Sequence, residues 1–296
     1  MKKASAGSFL RGPDGWQRAE LSFNMASDGL TKLHKQFTQY PFHITKPFHL
    51  DSAWPELATL ILQSTSGGLY RDDRLKLSLK FGEKTCTHVT TQSATKVHSM
   101  EAGGFAKLRV LMDVQEGAHA EFINDALIMF PNSRLENELL ITIAEGSSAI
   151  ITDSVLWHEP RKSIIESGHI NPQFESLRQF IKISRPNDSQ PAVRELQWSG
   201  KESPAGLSIW NNYKVQGSIY SLCPGGPIDK IVKASRDLLS HSSSSIGGVS
   251  ILPMNMGVVV RIIGKDGETV RVALEKQWRK SRLILSGRED GLIWKK

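Results

Sequence analysis

One pattern limits what this chain can become: polar and apolar residues alternate strictly, with a period of two. Leu75, Leu77, Leu79 and Phe81 share one face of an extended segment, and Lys76, Ser78 and Lys80 share the other. That is the signature of a half-buried strand. Leu108, Val110, Met112 and Val114 repeat it, and Leu139, Ile141 and Ile143 repeat it again. Each run leads into a short turn containing Gly82, Gly117 or Gly146, then into a second β-prone run: Thr85–Thr91, Ala118–Ile123 and Ala149–Val155. A strand, a tight glycine turn and a second strand read as a hairpin. Units of this length in series predict stacking. The expected fold is mainly β: stacked β-hairpins in a solenoid-like or sandwich arrangement, with a few C-terminal helices.

The flanking sequence agrees. Ala19–Phe23 and Thr31–His34 flank the turn tripeptide Ser27-Asp28-Gly29. Pro41, Pro47 and Pro55 mark residues 41–55 as an edge or extended segment. Residues 184–206 contain Pro186, Pro191 and Pro204 and predict a surface excursion. Helical spacing begins only at Asp229–His241, where Asp229 is the expected N-cap. A further hairpin arm spans Gly247 to Ile263 and turns at Lys265-Asp266-Gly267, and Glu275–Leu285 reads as a terminal helix. Nothing divides residues 1–296 into two domains.

Composition removes several function classes. With only two cysteines there is no disulfide framework, and without C-x-x-C there is no zinc ribbon or redox dithiol. No apolar run approaches the ~18 residues of a membrane helix, and Met1-Lys2-Lys3 is followed by no apolar signal core. The expectation is a cytoplasmic protein without membrane contact. P-loop, G-x-G-x-x-G, H-E-x-x-H and G-x-S-x-G motifs are all missing, and Pro160 after His158-Glu159 forbids a zincin helix. The sequence offers no recognisable enzyme site. Cys86 and His88 lie two apart on a predicted strand and so face the same way. A thiolate beside an imidazole suits nickel or zinc. A net charge of +7 and the basic C-terminal cluster of Lys276, Arg279, Lys280 and Arg282 keep open a basic module for nucleic acid or polysaccharide. Trp157, Trp198 and Trp210 are candidate partner anchors.

Certain segments resemble a known family. Thr65-Ser66-Gly67-Gly68-Leu69-Tyr70-Arg71-Asp72-Asp73, the strand Leu75–Phe81, and Thr90-Thr91-Gln92-Ser93-Ala94-Thr95-Lys96-Val97 resemble the urease accessory protein UreD, also called UreH. Gly67, Gly68, Asp73, Thr90, Thr91, Gln92, Ala94, Thr95 and Lys96 carry the match. Glu121-Phe122, Ile128–Phe130, Gly248–Pro253, Val260–Ile262 and Trp278–Arg282 extend it over nearly the whole chain. Asp72 replaces the usual glycine before Asp73, and Trp157-His158-Glu159-Pro160-Arg161 stands where the family has G-R-x-x-x-G-E. The resemblance implies a mostly β fold and a non-catalytic role. With UreF and the GTPase UreG, such a protein acts on apo-urease and passes nickel through its interior to the urease site. It implies no tightly bound cofactor, only transient nickel, and no nucleic-acid partner.

Overall fold

The computed structural model describes residues 14–158, 173–202, 213–241 and 244–289. The chain opens with β1 (Gln17–Met25) and β2 (Thr31–Thr38), then β3 (Phe42–Ile44) and β4 (Ala58–Ser64). Next come β5 (Arg74–Phe81), β6 (Cys86–Thr91) and β7 (Thr95–Val97), then β8 (Ala106–Val114), β9 (His119–Ile123) and β10 (Leu127–Met129). β11 (Arg134–Ile143), β12 (Ser148–Trp157), β13 (Ser176–Ser184), β14 (Val193–Ser199) and β15 (Val215–Leu222) follow. The described chain closes with helix α1 (Ile228–Ser240), β16 (Ser245–Ile251), β17 (Gly257–Gly264) and helix α2 (Gly267–Ser286).

The alternating runs are strands, as expected, but their pairing is not that of hairpins. β5 pairs with β1 and β8, not with β6. The turns carry the chain from one sheet to another. The first sheet has the order β14-β13-β11-β8-β5-β1-β2. The second runs β16-β17-β15-β12-β9-β6-β4-β3, with β7 and β10 attached beside β12. Every corner closes with the same backbone bond: Thr85 N–H to Gly82 O, Ala118 N–H to Gln115 O and Ser147 N–H to Ala144 O. The left-handed position is held by Lys84 in the first corner and by Gly117 and Gly146 in the next two. Gly82 therefore occupies a different place from the other two turn glycines.

Strands β1, β5, β8, β11 and β13 are parallel and in register, so Leu21, Leu79, Met112, Ile141 and Ile183 form one inward ladder. Opposite it, Leu60, Val89, Phe122, Ile151 and Tyr220 line up across the second sheet. The two ladders meet in the main core, where Phe23 stacks on Phe81 at 5.7 Å. Each such buried side chain contributes roughly 1.5–3 kcal/mol. The second sheet is buried on both faces, because α1 and α2 pack Ile231, Val270, Leu274 and Trp278 against its outer side. That is why β6 and β9 are nearly continuously buried instead of alternating.

A third, short ladder joins the stack. Leu69 bridges Val97, β7 pairs β10, and β10 pairs the end of β12. The next residue in each level projects a ring, and Tyr70, His98, Phe130 and His158 stack at successive distances of 4.4, 5.4 and 4.4 Å.

Two C-terminal expectations change. Lys265-Asp266-Gly267 is not a hairpin turn: Asp266 accepts a bond from Thr269 N–H at 2.8 Å and caps α2, which therefore starts eight residues before Glu275. The hairpin of β16 and β17 turns instead at residues 252–256. In α1 the N-cap is Pro227, and Asp229 is a first-turn acid. The 184–206 excursion contains the edge strand β14, and Pro204 lies outside the described residues.

Candidate functional site

The two sheets do not close on each other everywhere. Between them lies a cavity of about 360 Å³. One wall is the segment singled out in the sequence: Gly67, Gly68, Thr91, Gln92, Ala94, Thr95 and Lys96 all border it. Their placement has local causes. Leu69 N–H donates to Lys96 O at 2.7 Å, and His98 N–H donates to Leu69 O at 2.9 Å, which ties the Ser-Gly-Gly loop to β7. Gly68 has φ +153°, and a Cβ there would stand 2.4 Å from Lys96 O. Only glycine lets the two segments approach this closely. Two motif residues lie outside the wall. Thr90 donates its hydroxyl to Ile123 O at 2.7 Å, and Asp73 accepts from Tyr70 N–H at 2.8 Å in the turn before β5.

The neighbouring corner of the same sheet supplies oxygen atoms. Asp125 N–H donates to Thr91 Oγ1 at 3.0 Å, and Asn124 N–H donates to Thr152 Oγ1 at 2.9 Å. These bonds fix the corner after β9 and present Asn124, Asp125 and Asp153 to the space. Asn124 Oδ1 is buried without a hydrogen-bond partner. Asp153 accepts from Gln179 Nε2 at 2.6 Å across the gap between the sheets. Burial pushes its carboxyl up, the nearby Glu195 adds to this, and the Gln179 bond opposes it; the result is a pKa of about 6. The floor is apolar, with Leu77, Val110, Phe122, Leu139 and Ile151. Carboxylates, an amide oxygen and hydroxyls are hard ligands that coordinate divalent cations without the grip of thiolate or imidazole. Among the described residues no three His, Cys, Asp or Glu side chains gather closely enough to hold a metal ion.

Cys86 and His88 sit elsewhere, on the outer side of the second sheet beneath α2. Each has a partner. Thr31 Oγ1 lies 3.6 Å from Cys86 Sγ, and burial pushes the thiol up, away from the metal-binding thiolate. His88 Nδ1 lies 2.7 Å from Glu121 Oε2. Glu121 is the hub of a network invisible in the sequence. His119 Nε2 reaches its other oxygen at 3.1 Å, and Arg282 Nε stands 3.4 Å from that atom. Arg282 also donates to Asp51, and Glu121, Arg282 and Asp51 have fully buried side chains. Burial alone would raise the Glu121 carboxyl, but the bonds and charges of His119 and His88 outweigh it and hold the group well below the usual range. The rings of Trp54 and Trp278 flank the guanidinium at 5.3 and 5.6 Å.

Of the candidate partner anchors, Trp157 packs edge-on against Phe174, and Trp198 donates to Ser176 Oγ and covers Arg178. Trp210 lies outside the described residues. No helix among the described residues is long and apolar enough to cross a membrane.

In-register strands linked by sheet-crossing corners, with two helices on one face and a polar-walled cavity between the sheets, define a mainly β protein with an internal site. Comparison with known proteins then gives the family. Residues 17–295 match the family described as UreD urease accessory protein. Urease accessory protein UreD 1 of Methylorubrum populi is 34% identical over 270 residues, covering 88% of this chain and 85% of that protein. Urease accessory protein UreD 1 of Pseudomonas syringae pv. syringae is 30% identical, covering 91% and 92%. Urease accessory protein UreD of Haloarcula marismortui is 28% identical, covering 90% and 86%. The chain belongs to the UreD family of urease accessory proteins.

Proposed function

We propose that this protein is a non-catalytic, cytoplasmic scaffold for nickel insertion. In this reading it joins UreF and the GTPase UreG on apo-urease, and nickel, its cargo, passes through the inter-sheet cavity toward the urease site. The observation that carries the reading is a coincidence of two independent facts. The segment by which the sequence resembles urease accessory proteins is also a wall of the cavity, and the corner hydrogen-bonded beside it presents oxygen ligands to the same space. A conduit needs weak successive ligands, because a closed site with thiolate or several imidazoles would retain the ion. Asp125, Asn124 and Asp153 are such ligands, and Asp153 must lose a proton to bind a cation below about pH 6.

The test is co-expression of the chain with the host's urease subunits, UreF and UreG, in medium with added nickel. Urease activity that depends on this chain, and falls with Asp153→Ala while the complex still assembles, is the expected result. Full activity without the chain overturns the reading. Full activity with Asp153→Ala overturns the part assigned to the cavity.

A further inference from the structure

Both helices pack on the second sheet, so among the described residues no helix covers the outer side of the seven-stranded sheet. Parallel register stacks its outward side chains in rows: Lys76, Arg109 and Glu138 stand side by side, as do Lys80, Asp113 and Thr142. The carboxylates here are largely engaged. Glu20 meets Lys35 at 3.3 Å, Glu136 meets Lys107 at 2.6 Å, and Glu138 meets Arg109. The cations are in excess. Arg74, Lys76, Lys80, Lys182 and Arg194 have no carboxylate within 4 Å among the described residues, as judged by the ion pairs the structure forms. An open trough of about 560 Å³ bordered by Lys80 and Lys182 crosses the strands, with Ser78, Leu111, Leu140 and Thr142 along its bed, and Arg194 pairs in register with Lys182 at its end. Beyond it Leu196 is 65% exposed.

We propose that this face docks an acidic protein surface, one that places carboxylates opposite Lys80, Lys182 and Arg194 around an apolar centre seated on Leu111 and Leu140. Charge complementarity selects the occupant. Unengaged cations around an apolar bed attract carboxylates and give an apolar contact somewhere to bury. A nucleic acid fits less well, since a phosphate backbone brings no apolar side chains to bury Leu111, Leu140 and the exposed Leu196. The proposal rests on the scaffold reading for where the partner is found, namely within the urease-maturation assembly.

The test uses the full chain, tagged and co-expressed with the host's urease subunits and other urease accessory proteins, then captured with nuclease present. Lys80→Glu/Lys182→Glu reverses the face. Lys276→Glu/Lys280→Glu makes the same charge change on the exposed side of α2. The face variant is expected to retain its partner at least about tenfold less well at low salt, with the α2 variant unchanged. Raised salt should weaken the wild-type complex. Thermal midpoints equal to wild type exclude misfolding, and Lys80→Gln/Lys182→Gln decides the matter if the double reversal melts early. Equal retention by wild type and face variant overturns the proposal and leaves the scaffold reading intact. Equal loss in both variants overturns it too, as does retention that nuclease abolishes, which would mean a nucleic-acid surface. A wild-type chain that captures no urease component overturns both.

Discussion

Arg282→Met tests the ionic network that fastens α2 to the second sheet. The substitution keeps most of the aliphatic length and removes the guanidinium that Trp54 and Trp278 flank. Two fully buried carboxylates, Asp51 and Glu121, then lose their shared cation. Glu121 keeps His88 and His119, whereas among the described residues Asp51 keeps the backbone N–H groups of Ala53 and Trp54, at 2.9 and 3.2 Å. Removing one partner of a buried pair costs about 3–5 kcal/mol, because the remaining charge stays desolvated. Asp51 is the more exposed to that penalty. At roughly 2–4 °C per kcal/mol for a chain approaching this size, the midpoint should fall by about 6–20 °C. Differential scanning calorimetry at neutral pH measures it. Adding Asp51→Asn should recover part of the loss, and a double-mutant cycle isolates the coupling. A loss under about 1 kcal/mol, or no recovery in the double variant, would refute the claim that Arg282 neutralises Asp51.

Three further outcomes follow from the same geometry. Glu121 titrates below its ordinary value of 4.5 in the folded chain, so its contribution to stability is full above that pH and is lost as pH falls below it; Glu121→Gln should flatten the acid limb of a denaturation curve measured against pH. Asp153 has the opposite sign: its value is raised from 3.8 to about 6, so stability falls as pH rises between those two values and the loss is complete above 6. Asp153→Asn should therefore stabilise the chain at pH 8 by about 1 kcal/mol, after allowance for water that reaches the group through the cavity, and make no gain at pH 4, as followed by urea unfolding. Gly68→Ala sets a Cβ against Lys96 O and the His98 ring. It should cost more than about 1 kcal/mol and loosen the cavity wall, seen as faster amide exchange at Leu69 and His98.

What the sequence disclosed, and what it hid, follows from the range of each interaction. Alternation is local, so Leu75–Phe81 declares a strand without reference to anything else. Pairing is not local. A tight turn between two extended runs serves a hairpin and a sheet-crossing corner equally well, and only the register of β5 against β8 tells them apart. Lys265-Asp266-Gly267 misleads for a related reason: an acidic residue and a glycine open a helix as readily as they close a hairpin, and the Thr269 N–H that decides the matter is a single bond. The cavity was half legible, because its motif wall comes from two short runs, Gly67-Gly68 and Thr91–Lys96, each local in sequence, whereas Asp153 and Gln179 come from different sheets. The Glu121 hub had one overlooked signal. A lone carboxylate inside Ala118–Ile123, on a strand buried at every position, cannot stay ionised without cationic or N–H partners. Its partners arrive from 2, 33 and 161 residues away, so sequence could announce that such partners exist without naming Arg282. The same reasoning bears on the outer face of the first sheet. A parallel stack repeats its outward positions at every level, so a modest excess of lysine and arginine in alternating strands becomes a concentrated basic surface once the register is set. A net charge of +7 read from composition alone would have been taken as evenly spread.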